Sequence, residues 1–301
     1  MRLVTYDRGG TRRLGAWAGD VLVDLPDAVG HPAFPTTMEA LVARNAGTTL
    51  DAAREALRRP QIVEEAAVRE PSLLVPIIPS SLRTFVGRGE AESPEGRRLV
   101  VGPGEVVEWP ASARYLGCEL EIACILGRPG RKLSRARAAT SIFGYTLMGD
   151  WSAWGARRAS GKARTPLDFA TSLGPCVVTA DELDPSSIRL VARIGDEVWS
   201  EGTLETAGPS FPEIIAEVSR TEEVCAGEVY GSAGFGFGYR LDPGKALRPG
   251  TVVELEAEGI GVLSNRVGER RKASEPARSR ARTRPGLVAV PTRPQPGLVV
   301  R

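Results

Sequence analysis

The sequence predicts an α+β fold dominated by strands. Three observations carry that expectation. Short apolar runs of strand length recur from about residue 98 to 267. Glycine-rich turns, Gly227 to Gly238 and Gly244 to Gly250, separate the last of them. Helical patterning is sparse in this half, with about 134–140 and 210–220 as the best stretches; Pro209 and Ser210 precede the second as a start signal. The strands are expected at about 98–108, 116–127, 142–150, 173–179, 188–200, 227–231 and 252–267.

The first 70 residues read as a small α/β domain. Leu3–Tyr6, Leu14–Ala18 and Val21–Leu25 are short apolar runs joined by Gly9-Gly10 and Gly19-Asp20, which are hairpin signals. From Thr36 the period changes. Thr36 and Glu39 form a capping-box pattern ahead of Met38, Leu41 and Val42, and a second helix is expected from about Leu50 to Arg58, stopped by Pro60. Residues 71–85 are extended and punctuated by proline, and lead into a main domain over 71–268. Residues 269–301 are basic and rich in Pro and Gly, with few aliphatics; that composition predicts a disordered tail. Arg278, Arg280, Arg282 and Arg284 alternate with small residues, a pattern that suits acidic surfaces but also a plain solvated tail, so a nucleic-acid partner is not expected.

The chain has 301 residues, 42% hydrophobic and 25% charged, as in ordinary globular proteins. Its net charge of +2 is unevenly spread. The last 33 residues hold nine Lys/Arg against two Asp/Glu, +7, which leaves the preceding 268 at −5. No apolar run approaches the ~20 residues of a membrane helix, and the first residues lack a signal-peptide core. Cys118, Cys124, Cys176 and Cys225 have no metal-type spacing and are expected as buried free thiols. These features together predict a cytoplasmic protein.

One stretch carries the chemistry. In Cys118-Glu119-Leu120-Glu121-Ile122-Ala123-Cys124-Ile125-Leu126, strand alternation places Glu119 and Glu121 on one face, with Leu120 and Ile122 on the other. Two carboxylates on one face of an apolar strand repel each other and are costly to bury. A divalent cation relieves both costs, and Mg²⁺ or Mn²⁺ takes such oxygen ligands. Asp150 ends a second apolar strand and offers a third oxygen donor. A solvated strand face paired with arginines would also fit Glu-x-Glu taken alone.

The runs GCELEIACILGR, GYTLMGDWSA, LDFATSLGPCVVTADEL, GEVYGSAGFGFG and LRPGTVVELEAEGIGVLSNRVG resemble, in order and spacing, the fumarylacetoacetate hydrolase family. The resemblance covers roughly residues 70 to 268. It implies a mixed β-sandwich roll, a metal held by Glu119, Glu121 and Asp150, a small 2-oxo acid or 1,3-dicarbonyl substrate, and a homodimer. In the family, a His/Glu pair on a mobile segment activates water for C–C cleavage.

Here that machinery is altered. The chain's single histidine, His31, lies far upstream of the family's position, in what reads as a surface loop. After Phe85-Val86-Gly87 the chain reads Arg88-Gly89-Glu90-Ala91-Glu92, so Glu90 and Glu92 are the replacement candidates for the base. Arg88, with Arg157 and Arg158, suits a substrate carboxylate. The family's lysine position falls on Leu167. Its Arg and second Asp after Asp150-Trp151-Ser152-Ala153 are Trp154 and Gly155. The substrate turn reads Gly231-Ser232-Ala233-Gly234, leaving Ser232 as the substrate-binding candidate. Three functions are compatible: enolate chemistry such as decarboxylation, tautomerisation or isomerisation; C–C hydrolysis with a glutamate base; or a catalytically degenerate binding or scaffold protein.

Overall fold

The computed structural model describes residues 1–44, 47–86, 90–92, 98–155, 167–203, 209–232, 247–270 and 288–290, with backbone alone for 86, 90–92, 98, 167–168 and 288–290. The chain opens with β1 (Arg2–Arg8), β2 (Thr11–Ala18) and β3 (Val21–Asp24), followed by α1 (Leu25–Val29), α2 (Met38–Arg44), α3 (Gly47–Leu57) and α4 (Pro60–Glu65). Short strands β4 (Leu73–Leu74), β5 (Ser81–Val86), β6 (Glu90–Glu92), β7 (Arg98–Val101) and β8 (Val106–Val107) lead to the long pair β9 (Tyr115–Leu126) and β10 (Ile142–Trp154), which flank α5 (Arg135–Ala139). Then come β11 (Leu167–Thr179), β12 (Arg189–Ile194), β13 (Glu197–Thr203), α6 (Phe211–Thr221), β14 (Glu228–Gly231), β15 (Val252–Ala257), β16 (Gly261–Val267) and β17 (Val288–Val290).

These strands form two sheets. The larger runs β3-β2-β1-β11-β10-β9-β14-β5-β6, with β4 beside β1 and β7 between β11 and β17; the smaller runs β13-β12-β15-β16-β8. The strand-rich α+β expectation holds, in a mixed two-sheet arrangement. The even-numbered side chains of β9, Leu116 to Leu126, join Leu190, Val253, Leu255 and Leu263 of the smaller sheet in one core. On the opposite face, Ala123 and Ile125 join Leu3, Leu14, Met38 and Leu41 from the N-terminal segment. β9 is thus covered on both faces, which is why it reads as a nearly continuous apolar run. Glu119 and Glu121 are its only charged interruptions.

The N-terminal hairpins form as expected, with Gly9 and Gly10 both at positive φ in the first turn. They do not make a sheet of their own. Arg2 and Leu3 pair with Val178 and Val177, so β1–β3 extend the main sheet. α2 is not closed by a Thr36/Glu39 capping box. Thr37 Oγ1 accepts the Ala40 amide at 3.2 Å, the Thr36 carbonyl accepts the Leu14 amide, and Glu39 accepts the Ile78 amide at 2.8 Å. Pro60 opens α4 instead of merely stopping α3, as its fixed φ allows in a first turn. At α6 the start signal acts as expected: the Glu213 carboxylate accepts both the amide and the hydroxyl of Ser210, at 2.9 and 2.7 Å. Expected strands at 98–108, 188–200 and 252–267 each divide in two.

Of the basic C-terminal stretch, Val288–Val290 forms β17 and pairs antiparallel with β7. The apolar run there docks on the sheet, which the stretch's average composition conceals. Cys118, Cys124 and Cys176 are buried free thiols and Cys225 is a half-buried one. Among the described residues no helix is long and apolar enough to cross a membrane.

Candidate metal centre

β9 and β10 run antiparallel in unbroken register from Gly144/Ile125 to Trp154/Tyr115, and within it Asp150 stands directly opposite Glu119, and Met148 opposite Glu121. Opposed residues share a face of the sheet. Glu119, Glu121 and Asp150 therefore occupy one face, as their alternation predicts. Glu121 is 2% exposed and Asp150 8% exposed. All three charges reach Cys118: burial pushes its thiol up, and Asp150, Glu119 and Glu121 push it further.

The Asp-Trp-Ser-Ala run positions Asp150 by anchoring its neighbours. Trp151, fully buried on the opposite face, donates its indole N–H to Ser172 Oγ at 3.0 Å and locks β10 to β11. That register sets Asp150 opposite Thr171, which is completely buried. Trp154 Nε1 donates to Ser152 Oγ at 3.0 Å. On the other side of β9, Gly231 pairs with Ala123. A Cβ at Gly231 would fall 2.2 Å from Met148 Cε and 2.5 Å from Glu121 Oε2, so a larger residue there would make both side chains shift.

The donor chemistry suits a hard divalent cation: three carboxylates, two of them buried, on one face. The side chains are not drawn together around a point. Among the described residues no group of three or more His, Cys, Asp or Glu is arranged to hold an ion.

The other candidates separate. Ser232 is fastened to the strand that carries the glutamates: its amide donates to the Ile122 carbonyl at 2.8 Å and its Oγ accepts the Ile122 amide at 3.2 Å. Its hydroxyl thus serves the edge of β9, a use the family turn did not suggest. Glu90 and Glu92 lie on β6, paired with Val86 and Thr84 respectively. Following the registers, Ala123 pairs with Gly231, Tyr230 with Arg83, and Thr84 with Glu92, so Glu90 comes two residues further along, level with Glu121 and three strands from it. Their side chains, and Arg88, Arg157 and Arg158 altogether, lie outside the described residues. His31 is exposed in the loop after α1, where its Nδ1 accepts the Ala33 amide at 3.1 Å. Thr171 and Met148 flank the carboxylates and were not singled out by sequence. Their only signal was alternation along strands whose pairing was unknown.

The family model described as the C-terminal domain of fumarylacetoacetate (FAA) hydrolase matches residues 95–268. The chain is similar to oxaloacetate tautomerase YisK of Bacillus subtilis (strain 168), 28% identical over 177 residues, 56% of this chain and 58% of that protein. It is similar to the uncharacterized protein SAUSA300_0871 of Staphylococcus aureus (strain USA300), 28% identical over 160 residues, 51% of this chain and 53% of that protein. The chain thus spans little more than half the length of these curated relatives. Among solved structures, fumarylacetoacetate hydrolase from psychrophilic Exiguobacterium antarcticum superposes with a TM-score of 0.67 at 23% identity, covering 90% of this chain and 100% of that one. Maleylpyruvate hydrolase from Sphingobium sp. SYK-6 in complex with manganese (II) ion and pyruvate gives 0.67 at 21% identity, with coverage of 90% and 100%. Those likenesses concern the fold, whereas the family match takes in more than half of the sequence, including both glutamates, Asp150 and Ser232: the chain belongs to the fumarylacetoacetate hydrolase family.

Proposed function

We propose that this chain is a metal-dependent enzyme acting on a small 2-oxo acid or 1,3-dicarbonyl compound, with keto–enol tautomerisation of an oxaloacetate-like acid as its reaction. The observation that carries the reading is the Glu119–Asp150 cross-strand pair, with Glu121 on the same buried face. Like charges placed opposite each other destabilise a sheet, and a divalent cation held by the pair would relieve that cost. Glu119, Glu121 and Asp150 would hold Mg²⁺ or Mn²⁺, which supplies Lewis acidity toward the substrate's oxygens.

Tautomerisation moves one proton from C3 to the C2 carbonyl oxygen and consumes no water. It therefore fits a chain whose single histidine is a surface residue of the N-terminal loop. A carboxylate suffices as the proton carrier, and Glu90 and Glu92 of β6 are the candidates. Arg88 is the candidate for the substrate carboxylate. The name of the Bacillus subtilis relative supports the same substrate class. A homodimer is the proposed assembly.

The test is Mn²⁺ calorimetry together with the ultraviolet decay of enol-oxaloacetate, on wild type, Glu121→Ala and Glu90→Gln. Wild-type binding and turnover, both lost in Glu121→Ala, with turnover alone falling about 10²-fold or more in Glu90→Gln, is the expected result. Failure of the wild type to bind Mn²⁺ overturns the metal site. Binding of Mn²⁺ and pyruvate with no turnover of oxaloacetate or acetylpyruvate favours the degenerate binding protein, the reading to which the missing histidine also lends weight.

A further inference from the structure

We propose that Trp154 is a specificity-determining residue that selects 2-oxo acids whose C3 substituent is flat and apolar. The inference rests on the substrate reading above and narrows it: the favoured acid carries such a group where oxaloacetate carries its second carboxylate. Every second pair along β9 and β10 shares a face. Three such pairs follow one another on the carboxylate face: Glu119/Asp150, Gly117/Ser152 and Tyr115/Trp154.

The Trp154 indole is turned toward the acids. Its Nε1 donates to Ser152 Oγ at 3.0 Å, so the ring folds back along β10 to the middle pair. Gly117, opposite Ser152, puts no side chain in its way. Ser152 is buried, whereas Glu119 and Trp154, on either side of that pair, are each half-buried and reached by solvent. The backbone holds the ring's base in place. The Arg114 amide donates to the Trp154 carbonyl at 2.8 Å, and Gly155, at a φ of 72°, turns the chain off the strand at once.

The place and chemistry of the ring decide what it can take. At about 3.4 Å per residue, Ser152 lies roughly 7 Å along the strand from Asp150. A three-carbon acid bound at the carboxylate cluster by its oxo-acid end stops short of the ring, and a substituent on C3 reaches it. The indole's single donor is already used on Ser152, so its open surface offers no polar partner. A second carboxylate there would lose water without gaining a hydrogen bond. A planar apolar group gains burial and an offset ring contact. Tyr115, opposite Trp154 and 39% exposed, extends the aromatic surface. The Arg114 guanidinium lies 5.4 Å from the Tyr115 ring centroid. Tyr115 is four residues, roughly 14 Å, from Glu119 along β9, so that cation stands beyond the far end of a four-carbon diacid.

The experiment measures by calorimetry the affinities of phenylpyruvate and pyruvate for the Mn²⁺-loaded full chain, in wild type, Trp154→Ala and Trp154→Leu, with thermal melting as the control for folding. The ratio of the two affinities is the readout, because a merely structural lesion weakens both acids alike. The expected result is phenylpyruvate bound about 10-fold or more tighter than pyruvate by the wild type. The ratio should fall to near one in Trp154→Ala and to an intermediate value in Trp154→Leu, which keeps apolar bulk without the flat ring. A wild-type ratio near one, or the wild-type ratio kept in both variants, overturns the role of Trp154 while leaving the metal-dependent reading standing. A wild type that binds neither Mn²⁺ nor pyruvate overturns that reading and this inference with it.

Discussion

Trp151 on β10 gives its indole N–H to the Ser172 hydroxyl of β11, 3.0 Å away and sealed in the core between the sheets. Ser172 also faces the Gly149 carbonyl at 3.5 Å. This one contact ties the strand that carries Asp150 to its neighbour from behind. Ser172→Ala leaves a buried indole N–H without its acceptor and should cost about 1–3 kcal/mol in urea unfolding. Trp151→Phe removes the donor and some packing and should cost at least as much. The double variant should lose clearly less than the two single losses added, because they break the same bond. Additive losses would mean that the two side chains act independently.

The N-terminal hairpin carries a separate polar knot. Asp24, 3% exposed, accepts from Tyr6 Oη at 2.5 Å, Arg13 Nε at 2.7 Å, Arg8 Nη1 at 2.8 Å and the Asp27 amide at 2.8 Å. Burial pushes this carboxyl up, but the hydrogen bonds from Arg13, Tyr6 and Asp27 outweigh it and hold it below the usual carboxylate range. A carboxyl depressed in the folded state contributes stability that is complete above its unfolded pKa, about 3.9, and is lost as pH falls through the lower folded value. Asp24→Asn should therefore destabilise the chain by a constant amount between pH 7 and 5, and the gap to wild type should narrow below about pH 4. A gap that widens in acid would reverse the assigned sign.

How far the sequence discloses this molecule depends on the length scale of each signal. Alternation over β9 is local, so the shared face of Glu119 and Glu121 was legible, and so was the Ser210 start of α6. Asp150 was legible as an acid of the second strand, but it does not end that strand: β10 runs on to Trp154. Its cross-strand neighbour Thr171 was not legible, because pairing between β10 and β11 shifts at Tyr145/Leu147 and again at Trp151/Ser152. No local pattern reports two register shifts. Glu39 misled for a related reason: its carboxylate fits a capping box in sequence, but the Ile78 amide, 39 residues away, takes it in the fold. Pro60 is compatible with ending one helix and with opening another, and only packing of α4 against α3 decides between them.

The C-terminal strand offers a clean test of tertiary context. β17 is three residues long, and it converts β7 from an edge into an interior strand between β11 and β17. Ending the chain after Arg270 removes β17 and re-exposes the outer hydrogen-bonding groups of β7. Ending it after Pro291 keeps the strand. With a net 0.5–1.5 kcal/mol or so per hydrogen bond, offset by the entropy of ordering the segment, the shorter chain should melt a few degrees lower than the longer one. Equal melting temperatures would mean that β17 adds no stability to the sheet.

The site itself should be visible as a reversal in stability. Without metal, Glu119 and Asp150 face each other as like charges beside buried Glu121. An opposed like-charge pair costs a sheet about 0.2–1 kcal/mol. Asp150→Asn keeps the shape and removes one charge, so in chelator it should melt up to about 2 °C above wild type. With Mn²⁺ at about 100 times its Kd, the wild type should gain roughly 2.7 kcal/mol, because the ion binds the folded state alone. Asp150→Asn, short of a charged ligand, should gain far less, and the order of the two melting temperatures should invert. Residues kept for function at the expense of stability behave in this way. A lower melting point for Asp150→Asn in chelator would mean that the face carries no electrostatic strain, and the case for a cation would then rest on direct binding alone.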